Sequence, residues 1–257
     1  MLRQRVITGV LAVLVVVAIL VWGPLPWRVF VYAGSVLAVR EWCWIAGVTL
    51  RGLPGLWAFA TVCVALWRPE WLAPPWLMFW VMGTLAIPVV LRNTSTASRL
   101  ATLWTGSLYI GFGGAALGTL RDLGIGWVIL PLVAIWATDT TAYFAGSWLK
   151  GPKLWPSISP KKTVSGAVAG LAGGAVAAAI AGAAAFPGHA WWKFLLAGAV
   201  ISAAGQLGDL VESACKRAAG VKDSGHLLPG HGGVLDRVDS LLFAAPVAAL
   251  LLTRVMH

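Results

Sequence analysis

The sequence predicts an all-α fold: a polytopic transmembrane helical bundle of about nine spans, with its N-terminus in the cytoplasm. Three observations predict it. Apolar residues make up 59% of the 257 positions, against ~45–50% in an average soluble domain. Mean hydropathy is +0.84. The apolar residues fall in runs approaching the ~20 that carry a helix across a bilayer.

The first run, Val6–Trp22, is long for the apolar part of a secretory signal. It lacks an A-x-A cleavage site and further runs follow it, so it reads as a retained helix. Pro24 and Pro26 separate it from Val29–Val48, which carries Arg40 and Glu41, expected to form a structural pair. Leu53–Trp67 is short, and without it the count would be eight. Pro69, Pro74 and Pro75 punctuate the approach to the fourth run, Leu72–Leu91. Leu100–Leu120 and Trp127–Leu149 follow, the second with Asp139 as its only acid. A polar loop, Lys150–Thr163, leads into Val164–Phe186. There Gly166, Gly170, Gly174, Ala178 and Gly182 make a stripe of small residues that lets another helix come close. Packing inside one subunit is the expected use of the stripe, and a homodimer seam is the alternative. Pro187 ends that run before Trp191–Glu212. A second polar loop, Ser213–Arg237, precedes the last run, Val238–Val255. Trp22, Trp27, Trp71, Trp76, Trp127, Trp148, Trp191 and Trp192 fall near run ends, where indole prefers the membrane interface. All the runs are expected to pack as one integral membrane domain. Residues 1–125 form its N-terminal spans, and 126–257 carry the chemistry.

Placing the N-terminus inside and alternating puts most of the 19 basic residues on the inner face, as the positive-inside bias requires. Both polar loops then lie on the cytoplasmic side of a cell (plasma) membrane. The net charge of +10 reflects these loops and anionic substrates, and no nucleic-acid partner is expected. Cys43, Cys63 and Cys215 are scattered without CxxC spacing, the first two as small apolar fillers. P-loop, GxSxG and HExxH motifs are absent from the sequence. No long-period repeat suggests an inverted-repeat transporter.

The densest chemistry lies in Ser213–Asp239, SACKRAAGVKDSGHLLPGHGGVLDRVD, with four basic residues, three carboxylates and two histidines. Asp209 and Glu212 lie three apart, as do Asp236 and Asp239, so each pair shares a helical face. Carboxylates near hydrocarbon are costly, and a shared cation would offset their repulsion. Oxygen ligands point to magnesium, which commonly combines one or two carboxylates with substrate phosphates and water. Simpler uses exist: helix capping for Asp236 and Asp239, and an i,i+4 pair with Lys216 for Glu212. Gly230, Gly232 and Gly233 around His231 suggest close backbone approach or positive φ. The segment SISPKKT, with Lys161 and Lys162, faces the same surface as Lys216, Arg217 and Lys222 and suits an anion.

These residues resemble a known family. Ser213, Lys216-Arg217, Lys222-Asp223, Pro229, His231-Gly232-Gly233 and Asp236-Arg237-Val238-Asp239 are similar to the C-terminal signature of phosphatidate cytidylyltransferases, the CDP-diacylglycerol synthases. GDLVES at Gly208–Ser213, SPKKT at Ser159–Thr163 and DTTAY at Asp139–Tyr143 fit as well. The resemblance covers about the C-terminal half. It departs from the family's usual pattern at Ser147, Ser165 and Cys215. It implies that CTP and phosphatidate, drawn from membrane lipid, give CDP-diacylglycerol and pyrophosphate with Mg2+, a second cation being allowed. On it Asp209 and Asp236 bind the metal, with Asp239 in support. Lys161, Lys162, Lys216, Arg217 and Lys222 hold phosphate, while Asp139 and His231 complete the site. Ser159, Thr163, Ser213, Asp223, Gly232, Gly233 and Arg237 join the substrate contacts. The alternatives are a CTP-dependent lipid kinase of the polyprenol type and an anion transporter. The transporter leaves the glycine, histidine and aspartate cluster unexplained.

Overall fold

A computed structural model describes residues 2–92, 96–225, 227 and 232–255. Among them are nine α-helices: α1 (Leu2–Trp22), α2 (Pro24–Ile45), α3 (Leu53–Trp67), α4 (Trp76–Val90), α5 (Thr96–Leu123), α6 (Ile125–Leu149), α7 (Val164–Ala185), α8 (Trp191–Ala218) and α9 (Leu235–Val255). Four stretches are long and apolar enough to cross a membrane: Ala97–Leu123, Ile125–Leu149, Val164–Ala185 and Trp191–Ala218. The chain is an integral membrane protein. The apolar stretches of α1, α3 and α4 are shorter. Charges interrupt the other two helices: Arg28, Arg40 and Glu41 in α2, and Asp236, Arg237, Asp239 and Arg254 in α9.

Several boundaries differ from the sequence reading. Helix α2 runs from Pro24 to Ile45 rather than Val29–Val48, since proline is tolerated in a helix's first turn, and α5 spans Thr96–Leu123 rather than Leu100–Leu120. The fourth helix starts at Trp76 rather than Leu72, because Pro69–Leu72 forms a 3-10 turn and Pro74-Pro75 cannot extend it. Helix α8 runs on to Ala218, so Ser213, Lys216 and Arg217 are helical rather than in a loop. Side chains four apart sustain the extension: Lys216 pairs with Glu212, and Ser213 Oγ donates to Asp209 Oδ1. The loop before α7 holds an antiparallel hairpin, β1 (Lys153–Trp155) with β2 (Ser159–Thr163), in the register Lys153↔Thr163 and Trp155↔Ser159. The fold is therefore nearly all-α, with one small hairpin.

The chain forms two compact units. The first comprises Met1–Ala115 and Ala218–Val238. Its indoles pack inside as well as at the edges. Trp27 is buried, contrary to the interfacial position expected for it. Trp57 and Trp80 lie 4.7 Å apart, and their Nε1 groups donate to Thr84 Oγ1 and Trp71 O. Trp22, Trp71, Trp76, Trp148, Trp191 and Trp192 are exposed along the chain, as interfacial indoles should be.

The second unit comprises Ala116–Arg217 and Asp239–His257. Here the small-residue stripe of α7 is buried against α6 and α8. A Cβ on Gly166 would stand 2.8 Å from Ala142 O, and one on Gly170 would stand 3.0 Å from Thr138 O. Gly174 faces Thr138 and Ser202, whose hydroxyls hydrogen-bond at 2.8 Å. The stripe is thus used in packing within the chain. Thr163 ends β2 and caps α7, its Oγ1 accepting from Gly166 N at 3.1 Å. Thr163→Ala is expected to cost about 1 kcal/mol of stability, seen as a lower melting temperature in detergent. An unchanged melt would mean that the cap contributes nothing.

Candidate active site

In the second unit, the end of α6, the hairpin, the start of α7 and the C-terminal half of α8 enclose a cleft of about 760 Å³. Asp139, Tyr143, Gly146 and Ser147 line it from α6. Lys150, which closes α6 in a left-handed turn at φ 55°, lines it together with Lys153. Lys161, Lys162 and Thr163 come from β2, and Gln206 and Asp209 from α8. The hairpin brings the two elements together: Lys162 Nζ meets Asp209 Oδ2 at 2.5 Å. Gln206 Nε2 fixes α8 to α7 through Ala167 O at 3.1 Å. The cleft therefore sets lysine ammonium groups beside two carboxylates where apolar helices end. That combination suits a phosphorylated, lipid-borne ligand.

Behind Asp209, α8 and α9 come close enough that a Cβ on Gly208 would sit 3.1 Å from Asp239 O. Asp239 is buried, and its Oδ1 accepts from Ser240 N at 2.7 Å. Glu212 is buried one turn from Asp209, and its Oε2 holds Lys216 Nζ at 2.5 Å. Asp209 bears electrostatically on both Asp139 and Asp239, as Lys162 does on Asp139 and Lys216 on Asp239. Acids from the last two helices thus gather around Asp209, each near a lysine.

The rest of the signature belongs to the first unit. Ser224 N and Gly233 N both donate to Asp236 Oδ2, at 2.9 and 2.8 Å. Asp236 thereby organises the turn into α9, the capping use open to it from sequence. Gly232 has φ +80°, where glycine is favoured. Gly233 is packed so tightly that a Cβ would collide with Ser224 Oγ and the Glu41 carboxylate. The glycine pair is thus explained by the segment's own packing. Lys222, Asp223 and Arg237 are exposed. His231, with Pro229 and Gly230, lies outside the described residues. Ser159 is half-buried at the start of β2, and Arg217 is exposed at the end of α8.

Comparison with known proteins decides the family. The model of the cytidylyltransferase family matches residues 3–255. The chain belongs to that family. A Bacillus subtilis (strain 168) protein named phosphatidate cytidylyltransferase is 37% identical over 262 residues, covering 98% of this chain and 97% of the relative. A Staphylococcus saprophyticus protein of the same name is 32% identical, with 99% and 100% covered. One from Staphylococcus aureus (strain COL) is 33% identical, with 98% and 99% covered. For a cytidylyltransferase family member, the cleft supplies cations against the charge of phosphorylated substrates. Among the described residues, no three His, Cys, Asp or Glu side chains converge as a ready-made metal cluster. The acids stand instead in lysine-paired positions around Asp209.

Sequence reasoning missed Glu41. It is buried on α2 and accepts from Ser224 Oγ, Val234 N and Leu235 N rather than pairing with exposed Arg40. A signal was present: its helical neighbours Leu37, Ala38, Trp44 and Ile45 offer no cation.

Proposed function

We propose that this chain, as a single integral membrane domain, transfers CMP from CTP to phosphatidate and yields CDP-diacylglycerol and pyrophosphate. The observation that carries the reading is the lysine-rich cleft around Asp209, in a chain whose full-length relatives bear that name. A phosphatidate phosphate oxygen attacks the α-phosphorus of CTP, and the bond from that phosphorus to the β-phosphate oxygen breaks. The phosphate nucleophile is already an anion near neutral pH, so the step needs no strong general base. The chain's work is to bring two anions together and hold them in line. Lys161 and Lys162 receive phosphate oxygens at the hairpin, and Lys216, Arg217 and Lys222 are assigned the same task. Asp139 orders the cleft wall across from Asp209. Asp209 and Asp239 are the acids that would hold magnesium, and Asp236 is kept as a further candidate ligand. When bound, the ion offsets charge on the α-phosphate and the leaving pyrophosphate. The acyl chains remain in lipid beside Tyr143, Phe144 and Trp148, which are exposed at the end of α6.

The positive-charge bias supports a cytoplasmic N-terminus and a cytoplasmic site, and the membrane proposed is the plasma membrane. Cross-linking in the same detergent tests for a homodimer. The reaction is tested with purified protein, phosphatidate and CTP labelled in the α-phosphate and cytosine, with magnesium present or chelated. Labelled liponucleotide that disappears with chelator is expected. Transfer of the γ-phosphate to lipid with release of labelled CDP would establish a kinase instead.

A further inference from the structure

Helix α6 closes on a lysine in a conformation that lysine rarely adopts. Lys150 has φ 55° and ψ 21°, the left-handed region where Cβ crowds the backbone. Helices commonly close on such a residue, and glycine or asparagine usually fills the place. A glycine is present one residue later, but it serves packing: a Cβ on Gly151 would stand 3.0 Å from Ser165 Oγ. The turn is also held beyond that point. Val164 N donates to Pro152 O at 2.9 Å, and Lys153 pairs with Thr163 in the hairpin. The surroundings therefore impose the left-handed turn, and the sequence nonetheless puts a long cationic side chain there. Backbone outliers of this kind gather where function needs the side chain. Lys150 is exposed and lines the cleft.

The charges in the cleft identify its ligand. Lys150, Lys153, Lys161 and Lys162 line it, against Asp139 and Asp209. Lys162 is committed to Asp209. Lys150, Lys153 and Lys161 make no ion pair among the described residues. Like charges gathered in one cleft repel one another unless an anion joins them. A phosphate monoester carries a charge of about −1.5 to −2 near neutral pH, less than three free ammonium groups balance. A triphosphate is longer and more highly charged, and it matches that excess. Lys150 comes from the turn, outside the Lys162–Asp209 pair. We propose that Lys150 binds the β- and γ-phosphates of CTP, the part that leaves as pyrophosphate. The inference rests on the reaction assigned above. A helix C-terminus also attracts a cation, which would make Lys150 a stabilising charge and no more. The two roles predict different outcomes.

The test compares Lys150→Gly and Lys150→Asn with wild type, as purified full-length protein in detergent. Both replacements suit a left-handed turn and remove the charge. The KM for CTP should rise about tenfold in each, the low end for losing a hydrogen bond to a charged group. The KM for phosphatidate should stay near wild type. Pyrophosphate alone should raise the melting temperature of wild type, and at the same concentration it should raise that of both variants less. Without pyrophosphate both variants should melt close to wild type or above it, because the backbone strain is relieved. Both variants melting well below wild type would make Lys150 a structural charge at the helix end, and an unchanged KM for CTP would leave it without a ligand. Either result would overturn the proposal. So would a raised KM for phosphatidate in place of CTP, which moves Lys150 to the lipid phosphate. If wild type itself makes no liponucleotide, the assigned reaction fails. The pyrophosphate melts then still decide, and equal protection of wild type and Lys150→Gly is the contrary result.

Discussion

Asp209→Asn should lower turnover roughly a hundred- to a thousandfold, the loss typical when one fixed electrostatic contact to the reacting centre is removed. It should leave the protein folded. The asparagine carbonyl can still accept from Ser213 Oγ, which now binds Asp209 Oδ1 at 3.3 Å. The lost partner is Lys162, and both side chains of that pair are about a third exposed, 29% and 32%. Ion pairs this open contribute about 0–1 kcal/mol. Asp139 and Asp239 both lie in the field of Asp209, so neutralising it also relieves repulsion. Stability should therefore change little while chemistry fails. Lys162→Met should show a smaller loss of its own, and the double variant should fall short of the product of the two, because the residues act as a pair. Turnover within threefold of wild type in Asp209→Asn would remove Asp209 from the site.

The apolar runs made the helices readable, since hydropathy, Pro and Trp act locally. The α7 stripe was readable for the same reason, because a spacing of four puts Gly166, Gly170 and Gly174 on one face. What sequence could not show was contact across elements. Lys162 reaches Asp209 only because β1 and β2 fold back as a hairpin, and strands of three and five residues carry too little periodicity to stand out. The extension of α8 was hidden by polar residues that looked like loop but pair along the helix. The signature's acids were visible, yet their uses were not. Asp236 and Glu41 take backbone N–H groups as partners, and a backbone donor has no letter in the sequence.

Lys216→Met should be the most destabilising of these substitutions, by about 3–5 kcal/mol, the usual cost of orphaning a buried ion. The Lys216 side chain is 9% exposed and that of Glu212 1% exposed. Asp239 lies beside them on α9, also buried, and interacts with both. One ammonium therefore stands among two buried acids, and removing it leaves them facing each other in a low-dielectric setting. Replacing both partners, in Glu212→Leu with Lys216→Met, removes one acid with the base and should recover most of the melting temperature. The rescued variant separates two roles for Lys216. If the lysine only neutralises Glu212, activity returns with stability. If it also contacts phosphate, as its place in the signature implies, the double variant melts near wild type yet stays slow. Recovery of stability and turnover together would remove Lys216 from the phosphate-binding set and leave that work to the hairpin lysines.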